Sequence, residues 1–247
     1  SGGHGHVFVG ANVPFGGVQV GPTNFNKGWD WSSSYHHTDS IVKGFCHINV
    51  SGTGMSDLGE LTIMPATGEL KTGAGTQENH MAGYSSLYRK NKEFATTGYY
   101  KVHLERYNID VELTATERVG LHNYIFPDAE KSRIIIDLGE GSADRPTETY
   151  IKKVNDTLFE GHRFSTGWAR DQREYFSLII SKPVSDFIIY DRHKKFKGIE
   201  RKGDYVKGFL EFSTDKDEKI MVKMGISTVS SKNALENMMI ELPHWDF

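Results

Sequence analysis

The chain has 247 residues, 37% of them hydrophobic and 25% charged, which is globular material with enough apolar content for a sizeable core. Its length allows one or two domains, since β-sandwiches of this size form single domains. A formal net charge of -3 argues against an electrostatic nucleic-acid binder, the single cysteine Cys46 excludes an internal disulfide, and no apolar run reaches the length of a membrane-spanning helix.

In chain order, the opening stretch "SGGHGHVFVGANVPFGG" already reads as the inside of a domain. No signal peptide opens it, so the chain is expected to begin downstream of a removed leader. Next comes "GWDWSSSYHHTDS", residues 28–40, where two of the four tryptophans sit among serine, histidine and aspartate. A half-buried strand would alternate apolar with polar residues, and a surface loop would avoid Trp. The mixture suits a site that stacks on a ligand while hydrogen-bonding it. If this stretch is extended, Trp29 and Trp31 point to the same side, so that an indole can cover the C–H face of a pyranose while Asp30 faces away or turns inward. Tyr35, His36, Asp39 and the serines would then fix orientation. Both tryptophans as core or corner anchors stand beside this as the alternative.

Histidines are dense in the same region, and His4, His6, His36, His37 and His47 could donate nitrogens to a metal. The motif is short, and adjacent histidines on a strand point in opposite directions, so hydrogen-bonding loop residues are the expected reading. "SGTGMSDLGE" lacks the lysine pattern of a phosphate loop and reads as a turn packed against other loops. Asp57 and Glu60 invite a two-carboxylate hydrolase reading. A turn carboxylate and a strand-start residue fit better, because spacing in sequence does not set the separation such chemistry needs. Cys46 is expected to be buried.

Strand signals dominate the remainder. "ELTIMP", "RIIIDL", "YFSLIIS" and "DFIIYD" are short, β-branched or aromatic, and bounded by turn formers. In the segment from Gly98 to Pro127, Ile109, Val111, Leu113 and Ala115 share one face, with Asp110, Glu112 and Thr114 on the other. "YIKKV-ND-TLFEG" predicts a hairpin with positive φ at the Asn155-Asp156 turn, and "FLEFSTDKDEKIMVKMGIS" a second hairpin around charged residues. The basic run from Arg192 to Lys202 is interrupted by Phe196 and Ile199 and reads as a solvated strand-and-turn face. From Ser231, the expected N-cap, "SKNALENMMIEL" predicts one helix with Ala234, Leu235, Met238 and Met239 on a stripe, stopped by Pro243. The class is all-β: a large antiparallel β-sandwich with a C-terminal helix.

Five stretches in order, "GGHGHVFVGANVPFGGVQVGP", "GWDWSSSYHHTDS", "GFCHINVSGTGMSDLGELTIMP", "GYYKVHLERYNIDVELTATERVGLHNYIFP" and "KMGISTVSSKNALENMMIELPHWDF", resemble the N-terminal domain of glycoside hydrolase family 92, calcium-dependent exo-acting α-mannosidases. The resemblance implies a β-supersandwich of the galactose-mutarotase type over residues 1–229. Residues 230–247 would then start a helical linker into an (α/α) toroid that carries the acid and base of an inverting hydrolysis. It implies that this chain is not catalytic by itself and forms one wall of the pocket. Phe8, Trp29, Asp30, Trp31, Tyr35, His36 and His47 are the substrate-binding residues expected there. Calcium would be held mainly by the other domain, with no metal site in this chain. The implied partners are mannose-containing glycans, N-glycans among them, and the toroid itself; the implied location is periplasmic or secreted. Val9, Gly17, Ser32, Asn49 and Asn123 depart from the family's usual residues, which leaves linkage specificity open. A free-standing carbohydrate-binding module and a mutarotase-like sugar isomerase are the alternatives, and the expected end at a linker helix argues against both.

Overall fold

The computed structural model describes residues 6–52 and 55–247. Two large antiparallel sheets face each other across one core. Neighbour to neighbour, the seven-stranded sheet runs Gly21–Thr23, Gly44–Cys46, Thr62–Thr67, Ala129–Asp137, Val206–Thr214, Asp186–Asp191 and Lys194–Phe196. The nine-stranded sheet runs Glu200–Gly203, Arg145–Lys153, Leu158–Thr166, Gln172–Ile180, Glu218–Ser227, Val119–Phe126, Ile109–Ala115, Tyr99–Leu104 and Glu93–Thr96. The period-2 pattern explains the layering: Ile109, Val111 and Leu113 are fully buried, while Asp110, Glu112 and Thr114 on the other face are only partly covered. Ala115, at the strand end, is partly covered too. Large aromatic side chains, among them Phe45, Phe126, Phe159, Phe176 and Phe209, fill the space between the sheets. Cys46 is free and buried, as its composition suggests.

Two turns differ from expectation. At Asn155-Asp156 the strands do pair as a hairpin, but neither residue has positive φ. Instead the Asn155 carboxamide oxygen accepts from the backbone N–H groups of Thr157 (2.9 Å) and Leu158 (2.8 Å), a side-chain turn that replaces the left-handed one. The strands Val206–Thr214 and Glu218–Ser227 are not a hairpin at all. The first pairs with Ala129–Asp137 and Asp186–Asp191 in one sheet, the second with Val119–Phe126 and Gln172–Ile180 in the other. Their short connection therefore arches between the layers; turn residues mark a reversal but do not choose the partner.

The helix spans Ser231–Glu241. Its N-cap is Ser230, one residue earlier than predicted, and the Ser230 hydroxyl accepts from the Asn233 N–H at 3.1 Å. Ser231 instead donates its hydroxyl to the Gly161 carbonyl. Met238 and Leu242 are buried against Val119 and Leu121 on the outer face of the large sheet, and Ala234, also buried, lies against Gly225. Leu235 is only partly covered and Met239 is 54% exposed, so the buried stripe follows i, i+4, i+8.

Candidate functional site

The "GWDW" stretch is not extended. Gly28, at φ 114°, opens a 3-10 turn over Trp29–Trp31 and is held by the Asn26 carboxamide oxygen, which accepts its N–H at 2.7 Å. The Trp31 N–H then donates to the Gly28 carbonyl (3.0 Å) and the Ser32 N–H to that of Trp29 (3.2 Å). Each residue in such a turn rotates by about 120°, so positions two apart do not share a side. The two indoles consequently have different surroundings. Trp29 is 53% exposed and meets the His6 ring edge-on, with centroids 5.5 Å apart. Trp31 is half-buried and stacks on His36 at 4.3 Å. Its indole N–H donates to Asp39, which also takes the Lys27 ammonium; that ammonium lies 5.1 Å from the centre of the Trp31 ring. Trp31 is thus an anchor, and Trp29 the ring offered outward.

Polar groups around the pair are held in turn. His6 places Nδ1 3.1 Å from the Ser32 hydroxyl and Nε2 3.6 Å from the Asp30 carboxylate. The His36 backbone N–H donates to Asn24 Oδ1 (2.9 Å), and its ring Nδ1 lies 2.7 Å from the Thr38 hydroxyl. Asn24 fixes this loop from below by donating to the Ile41 carbonyl at 2.7 Å. Phe8 is half-buried, its ring lying against Gly10 and Gly21. A following loop closes the edge: the Gly52 N–H donates to the His6 carbonyl (2.6 Å) and the Phe8 N–H to the Ser51 hydroxyl (3.4 Å).

Trp29, Asp30, Trp31 and His36 are therefore brought together, while Phe8, two residues along the chain from His6, turns its ring against Gly10 and Gly21. Tyr35 and His47 turn inward. The Tyr35 hydroxyl donates to Glu93 at 3.0 Å and receives the Lys90 ammonium at 2.7 Å; burial first and the Glu93 charge next push its pKa well up. His47 is fully buried, with Nδ1 2.7 Å from the Leu61 carbonyl and Nε2 2.9 Å from Nε2 of His122. It presents no surface to a ligand. Nor does it share a contact with His36 or His37, while His4 lies outside the described residues. Among the described residues no cluster of three or more His, Cys, Asp or Glu is placed to hold a metal.

Asp57 and Glu60 go to different partners: Asp57 accepts from the Trp168 backbone N–H, and Glu60 pairs with Arg163. Of the departing residues, Ser32 alone meets the site. Asn49 donates to the Gln19 carbonyl and Asn123 to Glu112, both serving the fold. Sequence reasoning missed Asn24 and Lys27, which carry no motif, and read His6 as a hydrogen-bonding loop residue or metal ligand without placing it at Trp29; that nearness depends on a contact 23 residues away along the chain.

The geometry defines a β-sandwich domain with one aromatic, hydrogen-bonded corner. The chain belongs to glycosyl hydrolase family 92, whose N-terminal domain matches residues 1–227. It is similar to a family GH92 α-mannosidase from Bacteroides thetaiotaomicron solved in complex with mannoimidazole, with TM-score 0.94 and 30% identity over 98% of this chain and 33% of the other. An inverting mannosidase of the same family from Bacteroides thetaiotaomicron VPI-5482 shares the fold, with TM-score 0.81 and 24% identity over 97% of this chain and 31% of that one. No curated protein matches the chain. The chain thus spans about a third of the length of these solved relatives.

Proposed function

We propose that this chain is the substrate-wall domain of an inverting α-mannosidase that removes terminal mannose from glycans, N-glycans among them. The observation that supports it most is the exposed indole of Trp29 set beside His6 and Asp30, on a turn that the Trp31–Asp39–Lys27 clamp makes rigid. A pyranose laid on Trp29 buries its C–H face, and its hydroxyls meet the carboxylate of Asp30 and the His6 ring. Rigid supports matter because orientation must be retained when the scissile bond reaches the catalytic groups.

In this reading the acid and base belong to the two-thirds of the enzyme that the solved relatives have beyond this domain. An inverting hydrolysis needs two carboxyl groups roughly 6.5–9.5 Å apart across the sugar, one protonating the leaving oxygen and one activating water. The carboxylates near the wall have other work. Asp39 is buried under Lys27 and the Trp31 N–H, and Asp57 takes the Trp168 N–H and the Gln172 amide. The same allocation bears on calcium, which the family resemblance implies. Asp30, Asp39 and Asp57 face three different sets of partners and do not converge, so these residues do not build a calcium site. A periplasmic or secreted location belongs to this reading, because polymeric glycans are met outside the cytoplasm.

The test is an assay of mannose release from an aryl α-mannoside and from a mannose-terminated glycan. The expected result is hydrolysis by the full coding product and none by the 247-residue chain alone. Turnover by the purified chain overturns the non-catalytic assignment. Full-length Trp29→Ala with an unchanged KM overturns the wall.

A further inference from the structure

The loop that closes the Trp29 corner also borders a second opening. Val50, Met55, Leu58 and Trp168 line a cleft of about 570 Å3, with Asp57 and Gln172 as its polar members. Trp168 is 76% exposed, against 53% for Trp29. A single exposed aromatic is ordinary in itself. What sets this one apart is the anchoring of its loop.

The Trp168 backbone N–H donates to Asp57 Oδ2 at 2.9 Å, and the Gln172 side-chain amide donates to the same oxygen at 3.0 Å. Asp57 is 7% exposed, and its Oδ1 has no hydrogen-bond partner among the described residues. The close approach of Gly167 permits this arrangement: a Cβ there would fall 2.1 Å from Asp57 Oδ1. Beneath the cleft, the Ser165 hydroxyl lies 2.6 Å from Gln172 Oε1 and 2.9 Å from Glu60 Oε1, and Glu60 in turn pairs with Arg163 at 3.0 Å. A buried polar chain of this kind carries a desolvation cost that a plain apolar core would not. It ends at the floor of a cleft, where it holds a carboxylate and an amide beside an exposed indole.

An apolar ring face with a few fixed hydrogen-bonding groups is the chemistry that recognises a sugar ring. Continuity with the first site supplies the rest. The Gly52 N–H is bonded to the His6 carbonyl and the Phe8 N–H to the Ser51 hydroxyl, so one loop forms the rim of both. We propose that the Trp168 cleft is a second carbohydrate subsite, which holds a hexopyranosyl unit further along the same glycan whose terminal unit meets Trp29. The inference rests on the reading of Trp29 as a sugar wall, and the experiment separates the two.

The protein has four tryptophans, so its indole N–H groups give four NMR signals that Trp→Phe variants assign. The chain is titrated with methyl α-mannoside and with an α-linked mannotriose. The Trp29 signal should move with both ligands and the Trp168 signal only with the trisaccharide. The trisaccharide should bind about three- to tenfold more tightly, the gain expected of one stacked ring. Trp168→Ala, whose fold contacts are through the backbone N–H, should abolish that gain while Trp29 still responds. A Trp168 signal that stays still while Trp29 moves overturns the subsite, as does full trisaccharide affinity in Trp168→Ala. Movement of Trp168 only on adding the rest of the enzyme overturns it in favour of a protein contact. Movement of Trp168 with a silent Trp29 sinks the first wall and overturns the placement of the cleft on a glycan held there; silence at both sinks both.

Discussion

The Nε2 atoms of His47 and His122 lie 2.9 Å apart in the core, so one of them must carry the shared hydrogen. The neighbours decide which. A carbonyl can only accept, so His47 Nδ1 bears the proton given to Leu61, at 2.7 Å, and its Nε2 is a bare acceptor when the ring is neutral. His122 therefore donates from Nε2 and accepts at Nδ1 from the Tyr124 hydroxyl, 2.7 Å away. The order Tyr124, His122, His47, Leu61 carbonyl is satisfied only with both rings uncharged. Burial holds it so, lowering His47 to about 4 and His122 well below its ordinary value.

A pH dependence of stability follows. A histidine whose folded pKa is depressed leaves stability intact above the unfolded value near 6.5; below it the unfolded chain takes up the proton first, and stability falls until the folded pKa is reached. For His47 the window is 6.5 down to about 4, which corresponds to about 3 kcal/mol lost across it. Urea unfolding at pH 7, 6 and 5 should show the decline, and a His47→Leu, His122→Leu double variant should lose most of that slope. Equal stability of the native chain at pH 7 and pH 5 would rule the account out.

The two tryptophans of the 3-10 turn should separate stability from binding. Trp31 stacks on His36 and donates to Asp39, so Trp31→Ala is expected to cost about 2–4 kcal/mol in unfolding free energy. Trp29, half exposed, has mainly the edge contact with His6, and Trp29→Ala should stay within about 0.5–1 kcal/mol. Its effect should appear in mannoside affinity. Denaturant curves and a ligand titration on both variants check this; a larger stability loss for Trp29→Ala would refute the division of roles.

Arg163 is buried between Glu60 and Asp144, one cation facing two carboxylates. The excess negative charge in so little water leaves Glu60 raised to about 7, chiefly by burial and in part by Asp144, against the pull of Arg163. Because the folded pKa exceeds the unfolded one, the contribution of Glu60 is fullest below the unfolded pKa of about 4.5 and is lost as pH rises through about 7. Glu60→Gln, which keeps the shape and removes the ionisation, should therefore gain on the native chain as pH rises from 6 to 9. Arg163→Met leaves its carboxylates uncompensated and should cost about 3–5 kcal/mol at neutral pH. Parallel denaturation series measure both, and a constant gap between Glu60→Gln and native across that range would contradict the assignment.

How much of this was legible depends on whether the cause is local. Alternation from Ile109 to Leu113 fixes a buried face by covalent geometry, so strand and side follow from sequence. The arch between Val206–Thr214 and Glu218–Ser227 does not, since both a hairpin and an arch present the same apolar run and the same charged turn. At the site, the density of Trp, His and Ser pointed to residues 28–40, but the direction of each ring came from a three-residue turn set by Asn26 and Gly28. His47 directly follows a strand of the seven-stranded sheet, while His122 lies in the nine-stranded sheet 75 residues away in sequence; only the packed sandwich makes the pair. Tyr35 looked available because its partners Lys90 and Glu93 lie more than fifty residues downstream.

Calcium affinity of the chain alone is the last expectation, and it follows from where its aspartates point. Calcium exchanges its water for about six to eight oxygen ligands, and several must converge on one point before the exchange is favourable. Asp30 lies beside His6 and is only partly exposed; Asp39 is buried and already neutralised by Lys27; Asp57 is buried beneath the Trp168 loop. Bringing any two together would break the Trp31 clamp or release the Trp168 loop, so the ion would have to bind at one carboxylate with its water largely retained. Such contacts are weak, and calorimetry on the 247-residue chain should give no saturable heat below millimolar calcium. The indole signals of Trp29 and Trp31 should likewise be unchanged by the ion. A micromolar dissociation constant that Asp30→Asn or Asp39→Asn abolishes would show that the corner rearranges around the metal, and the rigid wall argued above would then be wrong.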